Sequence, residues 1–352
     1  MIKPKKELFL VKPYKPPLKN RKGKICLDFN ENTSGPSDKV LDAVRNIDNN
    51  NLSMYPDYSE LKKKLSVFLG FKDEELLITN GIDESIMLLT FAYLNKKDEV
   101  ILPVPTFSLY NLYCSILGAK ITKVSYNEDL SFPTDEVINS ITKKTKIIVL
   151  VSPNNPTGTV ISERDIMKIL DKAKENDVLV LLDEAYYQYN GKTYKEMVKK
   201  YKNLVVMQTF SKAYGLAGLR VGYSIADKDI IATLEKLRPP YNINIAAIYA
   251  AIAALEDQEY VESYLKEVRQ AKKELYDALG DLGIKTYPTG ANFFIAYLGE
   301  KKDLVLDGLR KRGVLLRDID DYNLLNGCVR IGIGNIEQTK ILISALRKII
   351  QQ

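Results

Sequence analysis

The sequence predicts an α/β fold: a mainly parallel, seven-stranded sheet covered by helices, followed by a smaller α+β domain. Three observations carry this expectation. From about residue 59, short runs rich in β-branched residues alternate with amphipathic helical stretches, the pattern of a parallel sheet wrapped by helices. Beyond about residue 250 the order changes to a long charged helix, short strands and a terminal helix. The chain of 352 residues is also more than twice the roughly 150 of a typical domain, so one large and one smaller domain are expected.

Taken in order, the strands are expected at residues 75–79, 99–104, 120–126, 146–151, 178–182, 204–208 and 220–225, with helices at 59–69, 83–94 and 163–175. The stretch 244–255 is rich in alanine and isoleucine and apolar around most of a helix, so it should be buried where two lobes join. Helices at 259–279, 302–312 and 336–350 and short strands near 292–297 and 328–333 complete the C-terminal part. The resulting division is an extended arm at 1–35, a large domain at 36–250 and a small domain at 251–352.

Composition narrows the chemistry. The chain has no histidine and no tryptophan, which removes an imidazole general base, a Ser-His or Cys-His nucleophile and a His-ligated zinc. Cys26, Cys114 and Cys328 are odd in number and widely spaced, which suits reduced thiols in a cytoplasm and yields no metal site. The longest apolar run, 245–255, is far short of the roughly 20 residues that cross a bilayer, and the N-terminus lacks an apolar signal core. Residues 1–24 hold nine Lys/Arg against one acid, more than the whole net charge of +6. The rest of the chain is thus slightly acidic, and no basic face for nucleic acid is expected.

In open parallel sheets ligands bind beyond the carboxyl ends of the strands, and here those ends collect chemistry. They carry Gly81-Ile82-Asp83-Glu84 turning into a helix, Pro105-Thr106-Phe107, Pro153-Asn154-Asn155-Pro156-Thr157-Gly158, Asp183-Glu184-Ala185-Tyr186 and Thr209-Phe210-Ser211-Lys212. Singly, each is an ordinary turn, helix cap or surface residue. Together they supply an anion cradle, an aromatic ring, an amide, a carboxylate with a phenol, and a lysine flanked by hydroxyls. Pyridoxal 5′-phosphate needs such a set, because its aldehyde is held by a lysine and its ring works as an electron sink only while the ring nitrogen stays protonated. Asp183 is then the ring-nitrogen partner, Asn155 and Tyr186 neighbour the ring hydroxyl, and Phe107 stacks on the ring. The backbone at Gly81 to Asp83, with Ser211 and Arg220, holds the phosphate. Lys212 is both nucleophile and proton carrier.

With Asn30-Glu31-Asn32, Tyr55-Pro56-Asp57, Gly215-Leu216-Ala217-Gly218-Leu219-Arg220, Ala291-Asn292-Phe293 and Arg330-Ile331-Gly332-Ile333-Gly334 added, the chain resembles the fold-type I, class I/II aminotransferases, and within them the histidinol-phosphate aminotransferases. The ordered matches run from about residue 13 to the C-terminus. The resemblance implies catalytic roles for Lys212, Asp183 and Tyr186, with Lys212 carrying pyridoxal phosphate as a Schiff base. It implies a cofactor set of Tyr55, Gly81, Ile82, Asp83, Phe107, Asn155, Thr209, Ser211 and Arg220 beside these three. Tyr55 resembles the tyrosine that reaches a neighbouring subunit's phosphate, which implies a homodimer with shared active sites. Tyr14, Asn32, Arg317 and Arg330 are the implied substrate contacts. Two arginines suit a phosphate dianion, and glutamate or 2-oxoglutarate could use Arg330 through its carboxylate. Thr33 stands where the family has proline, and Ile82 where serine is common.

The expected activity is amino transfer between L-histidinol phosphate, with its keto partner, and glutamate in histidine biosynthesis. An aromatic amino-acid aminotransferase, a threonine-phosphate decarboxylase and a cofactor-binding regulator are the alternatives left open by the residues alone.

Overall fold

The computed structural model describes residues 2–11, 19–320 and 322–351. Its main sheet has seven strands: β1 (Leu76–Thr79), β2 (Glu99–Val104), β3 (Lys120–Ser125), β4 (Thr145–Val151), β5 (Leu179–Asp183), β6 (Leu204–Thr209) and β7 (Gly222–Ala226), in the order β1-β7-β6-β5-β4-β2-β3. β3, β2, β4, β5 and β6 are parallel, while β7 runs antiparallel to both β6 and β1. Residues of β1, β5 and β6 are buried throughout. This is why these segments read as continuous apolar runs rather than as alternation. The reversal of β7 positions the site. Because β7 points the other way, its N-terminal end lies at the edge where the parallel strands finish, with Gly222 opposite both Thr79 and Thr209. Arg220, just before β7, is thereby delivered to the same edge as Asp183 and Thr209.

Helices cover both faces. Ile86, Leu88 and Leu89 of α3 (Ile82–Tyr93) join Leu77, Val100, Leu102, Tyr110 and Val149 on one side; Ile166, Ile169 and Leu170 of α5 (Glu163–Glu175) join Ile101, Ile148, Leu150 and Leu182 on the other. Each such aliphatic side chain contributes on the order of 1.5–3 kcal/mol by leaving water. α5 starts where Ser162 accepts the Asp165 N–H, an ordinary N-cap. Helices α1 (Asp38–Arg45) and α2 (Ser59–Leu69) add to the face covered by α5, and α4 (Ser108–Ile116) to the face covered by α3; α1 and α4 are too short for their periodicity to stand out in the sequence.

The Ala/Ile-rich α6 (Ile245–Leu255) is buried as expected, but in a different place. It packs on α1 and α2 within the core of the large sheet, instead of between two lobes. After it, α7 (Gln258–Asp281), α8 (Lys302–Lys311) and α9 (Ile336–Ile350) back a four-stranded antiparallel sheet of β8 (Lys285–Thr286), β9 (Phe293–Tyr297), β10 (Arg317–Asp318) and β11 (Cys328–Gly332), ordered β10-β11-β9-β8. The N-terminal segment belongs to this layer too. Ile25 and Cys26 pair in parallel with Val314 and Leu315, and the Gly332 N–H donates to Leu27 O. A Cβ on Gly332 would sit 2.6 Å from that oxygen, so only glycine admits the approach.

Candidate active site

Two adjoining cavities open at the carboxyl edge of the large sheet. The deeper one, about 200 Å³, is lined by Ile82, Asp83, Phe107, Asn155, Asp183, Tyr186, Thr209, Ser211, Lys212 and Arg220, with Val151 and Ala185. The outer one, about 340 Å³, shares Phe107, Asn155, Tyr186 and Lys212 with it and adds Phe29, Asn30, Tyr322, Arg317 and Arg330 among others. Ten of the residues expected around a cofactor thus meet in one space, with Lys212 common to both chambers.

At the floor of the deep cavity the Asp183 carboxylate is buried. Oδ1 accepts the Ala185 N–H at 2.9 Å and Oδ2 accepts the Tyr110 hydroxyl at 2.9 Å. Burial pushes its pKa up to about 6, opposed by these two hydrogen bonds and by Lys212, and reinforced by the charge of Asp83. Glu184, next in the chain, faces away from the cavity. It accepts from Thr193 Oγ1, the Tyr194 N–H and Gln208 Nε2, and burial pushes it up to about 7.

One side of the cavity is built for an anion. α3 begins at Gly81 with no side chain capping its first turn, so the positive end of the helix faces the cavity. Gly81 has φ +75, and a Cβ there would lie 2.6 Å from Arg220 Nη2. Arg220 itself is left-handed (φ 56) and donates from Nη1 to Ala217 O and Ser211 Oγ, while Nη2 pairs with Asp83 Oδ2 at 3.0 Å. Thr209 Oγ1 accepts the Ser211 N–H, which fixes the turn carrying Ser211 and Lys212.

At the junction of the chambers, the Lys212 Nζ lies 5.4 Å from the Tyr186 ring centre and donates to Phe29 O at 3.2 Å. Asn30 Nδ2 donates to the Tyr186 hydroxyl at 3.1 Å, and the Tyr186 ring meets Phe293 edge-on. Arg330 Nη1 donates to Asn155 Oδ1 at 2.6 Å and Nη2 to Asp28 O at 2.7 Å. Arg317 stands opposite Arg330 in the β10/β11 register, so both guanidiniums serve the outer chamber.

Of the expected residues that the structure describes, Gly81, Asn32 and Tyr55 are absent from both linings, Gly81 standing at the N-cap of α3 beside the deep cavity. Asn32 is buried, but its amide donates to Ala213 O and its oxygen accepts the N–H groups of Ser34 and Gly35; it ties a loop and is absent from both linings. Tyr55 is 76% exposed and stacks on Tyr241 at 4.0 Å between ring centres, away from its own chain's cavity. Tyr14 lies outside the described residues. Conversely, Tyr110, the carbonyls of Asp28 and Phe29, and the Asn30 amide escaped the sequence reading as contacts of Asp183, Arg330, Lys212 and Tyr186. The Asn30-Glu31-Asn32 motif was the available signal for Asn30; backbone acceptors leave none.

An α/β chain with this lysine, carboxylate and anion cup at its strand ends has the make-up of a pyridoxal-phosphate enzyme. Residues 22–346 match the aminotransferase class I and II family, and the chain belongs to that family. It is 36% identical to the histidinol-phosphate aminotransferase of Bacillus subtilis subsp. natto over 98% of this chain and 99% of that one. It is 35% identical to the histidinol-phosphate aminotransferase of Methanocaldococcus jannaschii over 93% and 89%. The crystal structure of the Clostridium acetobutylicum histidinol-phosphate aminotransferase superposes with a TM-score of 0.86, at 25% identity over 93% of this chain and 99% of that one. The Sinorhizobium meliloti enzyme, in complex with pyridoxal-5′-phosphate, shares the fold with a TM-score of 0.84, at 24% identity over 93% and 91%.

Proposed function

We propose that the protein is a pyridoxal-phosphate-dependent aminotransferase that moves an amino group between L-histidinol phosphate, with its keto partner, and glutamate with 2-oxoglutarate. The observation that carries the substrate is the pair Arg317 and Arg330, facing one another across β10 and β11 on the chamber that contains Lys212. Two guanidiniums match a phosphate dianion, and either one can hold a carboxylate.

The chain's own groups fit the cofactor. The uncapped α3 terminus, Ser211 and Arg220 offer donors and positive charge to a phosphate. Asp183 offers a buried negative charge at the far end, where a protonated ring nitrogen needs a partner. Tyr186 and Asn155 present a phenol and an amide between these poles, and Phe107 supplies an apolar wall. When bound, pyridoxal phosphate supplies a carbonyl that exchanges amines and an electron-withdrawing ring. The amine of Lys212, at the shared neck, is placed to take a proton from the substrate carbon and return it, while Arg330 and Arg317 hold the anionic end of the substrate.

The reading extends to three properties. We assign residues 1–35 to an arm, 36–250 to the cofactor domain and 251–352 to the small domain, the last turns of α6 remaining packed in the large domain's core. Exposed Tyr55, stacked on Tyr241, is assigned to a second subunit's phosphate cup in a homodimer. The cytoplasm is the assigned compartment, consistent with free Cys26, Cys114 and Cys328; no helix among the described residues is long and apolar enough to cross a membrane. A substrate panel of histidinol phosphate, phenylalanine, tyrosine and threonine phosphate tests the assignment, following 2-oxoglutarate use and carbon dioxide release. Histidinol phosphate should lead by kcat/KM with no carbon dioxide formed. Arg317→Ala should reduce that kcat/KM by about ten- to a hundredfold, the worth of a charged hydrogen bond, with a much smaller effect on glutamate. Preference for another amine, or equal losses, would reject the substrate assignment.

A further inference from the structure

We infer that Tyr110 is a positioning residue for Asp183, its phenol holding the carboxylate in one orientation and as an anion toward the cofactor's ring nitrogen. The inference rests on the reading of the deep cavity as a pyridoxal-phosphate site.

α4 starts directly after Phe107, so Phe107 and Tyr110 lie one helical turn apart. Phe107 lines the cavity, whereas Tyr110 is fully buried beneath it among Leu77, Ile86, Val100, Leu102, Val149 and Met207. A phenylalanine would satisfy such surroundings. A hydroxyl there costs free energy unless it is bonded, and its hydrogen bond goes to Asp183 Oδ2 at 2.9 Å. With Oδ1 held by the Ala185 N–H, both carboxylate oxygens are anchored from below and the carboxylate plane cannot rotate.

The same contact favours the charged carboxylate. A carboxylate accepts and cannot donate, so the phenol must donate to it. Burial and the neighbouring acid drive Tyr110's own ionisation far above the ordinary range, so it remains a donor throughout the working pH range. The other titratable groups around the pair are Asp83 at the start of α3, Cys114 on α4, Glu184 beside Asp183, and Lys212. Of these, the two acids oppose a second negative charge and Lys212 favours it. Tyr110 and the Ala185 N–H are the only donors to Asp183 among the described side-chain hydrogen bonds.

The absence of histidine provides the test. In protein made without a polyhistidine tag, Tyr110→His introduces one imidazole, readable by NMR without assignment. In cofactor-free protein that imidazole should titrate about one unit higher with Asp183 present than in the Asp183→Asn background, because it faces the carboxylate. In parallel, Tyr110→Phe should weaken pyridoxal-phosphate binding about three- to tenfold at pH 7 and move the acid limb of the binding profile to higher pH. Tyr110→His should restore part of that binding, and Tyr110→Phe should add no loss to Asp183→Asn. An imidazole that titrates alike in both backgrounds, or an equal loss from Tyr110→Phe with and without the Asp183 charge, would overturn the inference. Failure of the unaltered protein to bind pyridoxal phosphate would instead reject the cofactor reading, and the imidazole titration would still decide the contact.

Discussion

The Lys212 amine donates a 3.2 Å hydrogen bond to the main-chain carbonyl of Phe29. The donor follows a strand of the large sheet, and the acceptor lies in an N-terminal strip that continues from the parallel pairing of residues 25–26 with the C-terminal layer. The strip reaches each working group in turn: Asp28 O takes Arg330, Phe29 O takes Lys212, and the Asn30 amide reaches Tyr186. A single uncharged acceptor leaves the lysine free to exchange partners when substrate arrives. Lys212→Ala should therefore fold normally and lose turnover by at least ~10²–10⁴-fold, the worth of a positioned proton carrier. Steady-state rates beside a thermal melt check this; retained amino transfer would remove Lys212 from its role.

Gly81 is constrained twice, by φ +75 and by the 2.6 Å approach of a would-be Cβ to Arg220 Nη2. Gly81→Ala should cost about 1–3 kcal/mol of stability, because φ +75 with ψ 168 is a backbone conformation open essentially to glycine alone. It should also displace Arg220, weakening pyridoxal-phosphate binding about tenfold or more by loss of a charged hydrogen bond. Equilibrium binding and denaturant unfolding separate the two effects, and undiminished binding would place the anion elsewhere.

Burial raises Asp183 to about 6 and Glu184 to about 7. An acid whose pKa is raised by folding stabilises the fold fully below its unfolded value and loses that contribution as pH climbs through the folded value. For these two groups the loss spans roughly pH 4 to 7. Cofactor-free protein should then melt at a lower temperature at pH 7.5 than at pH 5. Asp183→Asn should flatten the lower part of that slope. A melting temperature that rises steadily from pH 5 to 7.5 would contradict the burial argument.

The exposed Tyr55–Tyr241 stack suits a contact completed by another subunit. Mixing inactive Tyr55→Phe with inactive Lys212→Ala protein, followed by unfolding and refolding together, should recover about a quarter of full activity per site if one intact site forms in each mixed dimer, since half the dimers are mixed and each has two sites. No recovery above the parents would confine Tyr55 to its own chain.

Much of this site could be read from the sequence because strand ends carry side-chain chemistry. Asp183, Thr209, Asn155 and Lys212 follow apolar runs directly, and a parallel sheet brings such positions to one edge. Arg220 was legible as a guanidinium for the phosphate, but not the means of its delivery, since nothing in the run 220–225 announces that β7 is antiparallel. Asn32 was expected through the resemblance alone, and its side chain bonds backbone groups at Ser34, Gly35 and Ala213, contacts that carry no residue-type signature. Tyr110 was passed over because a tyrosine inside an apolar helix face reads as packing. The carbonyl of Phe29 has no residue-type signature at all. Helix α6 was recognised as buried, but a composition apolar on most sides does not say which neighbours bury it.

The strip at residues 25–32 also ties the site to the order of synthesis. Ile25 and Cys26 emerge first, yet the segment that pairs with them, Val314–Leu315, and the Gly332 N–H that grips Leu27 emerge near the end. A growing chain can complete the seven-stranded sheet, with Lys212 at its edge, before the partners of Ile25, Cys26, Leu27 and Asp28 exist. The strip's contacts thus divide in time: Phe29, Asn30 and Asn32 meet Lys212, Tyr186 and Ala213 of the part made earlier, whereas the anchors at residues 25–28 wait for the C-terminal layer.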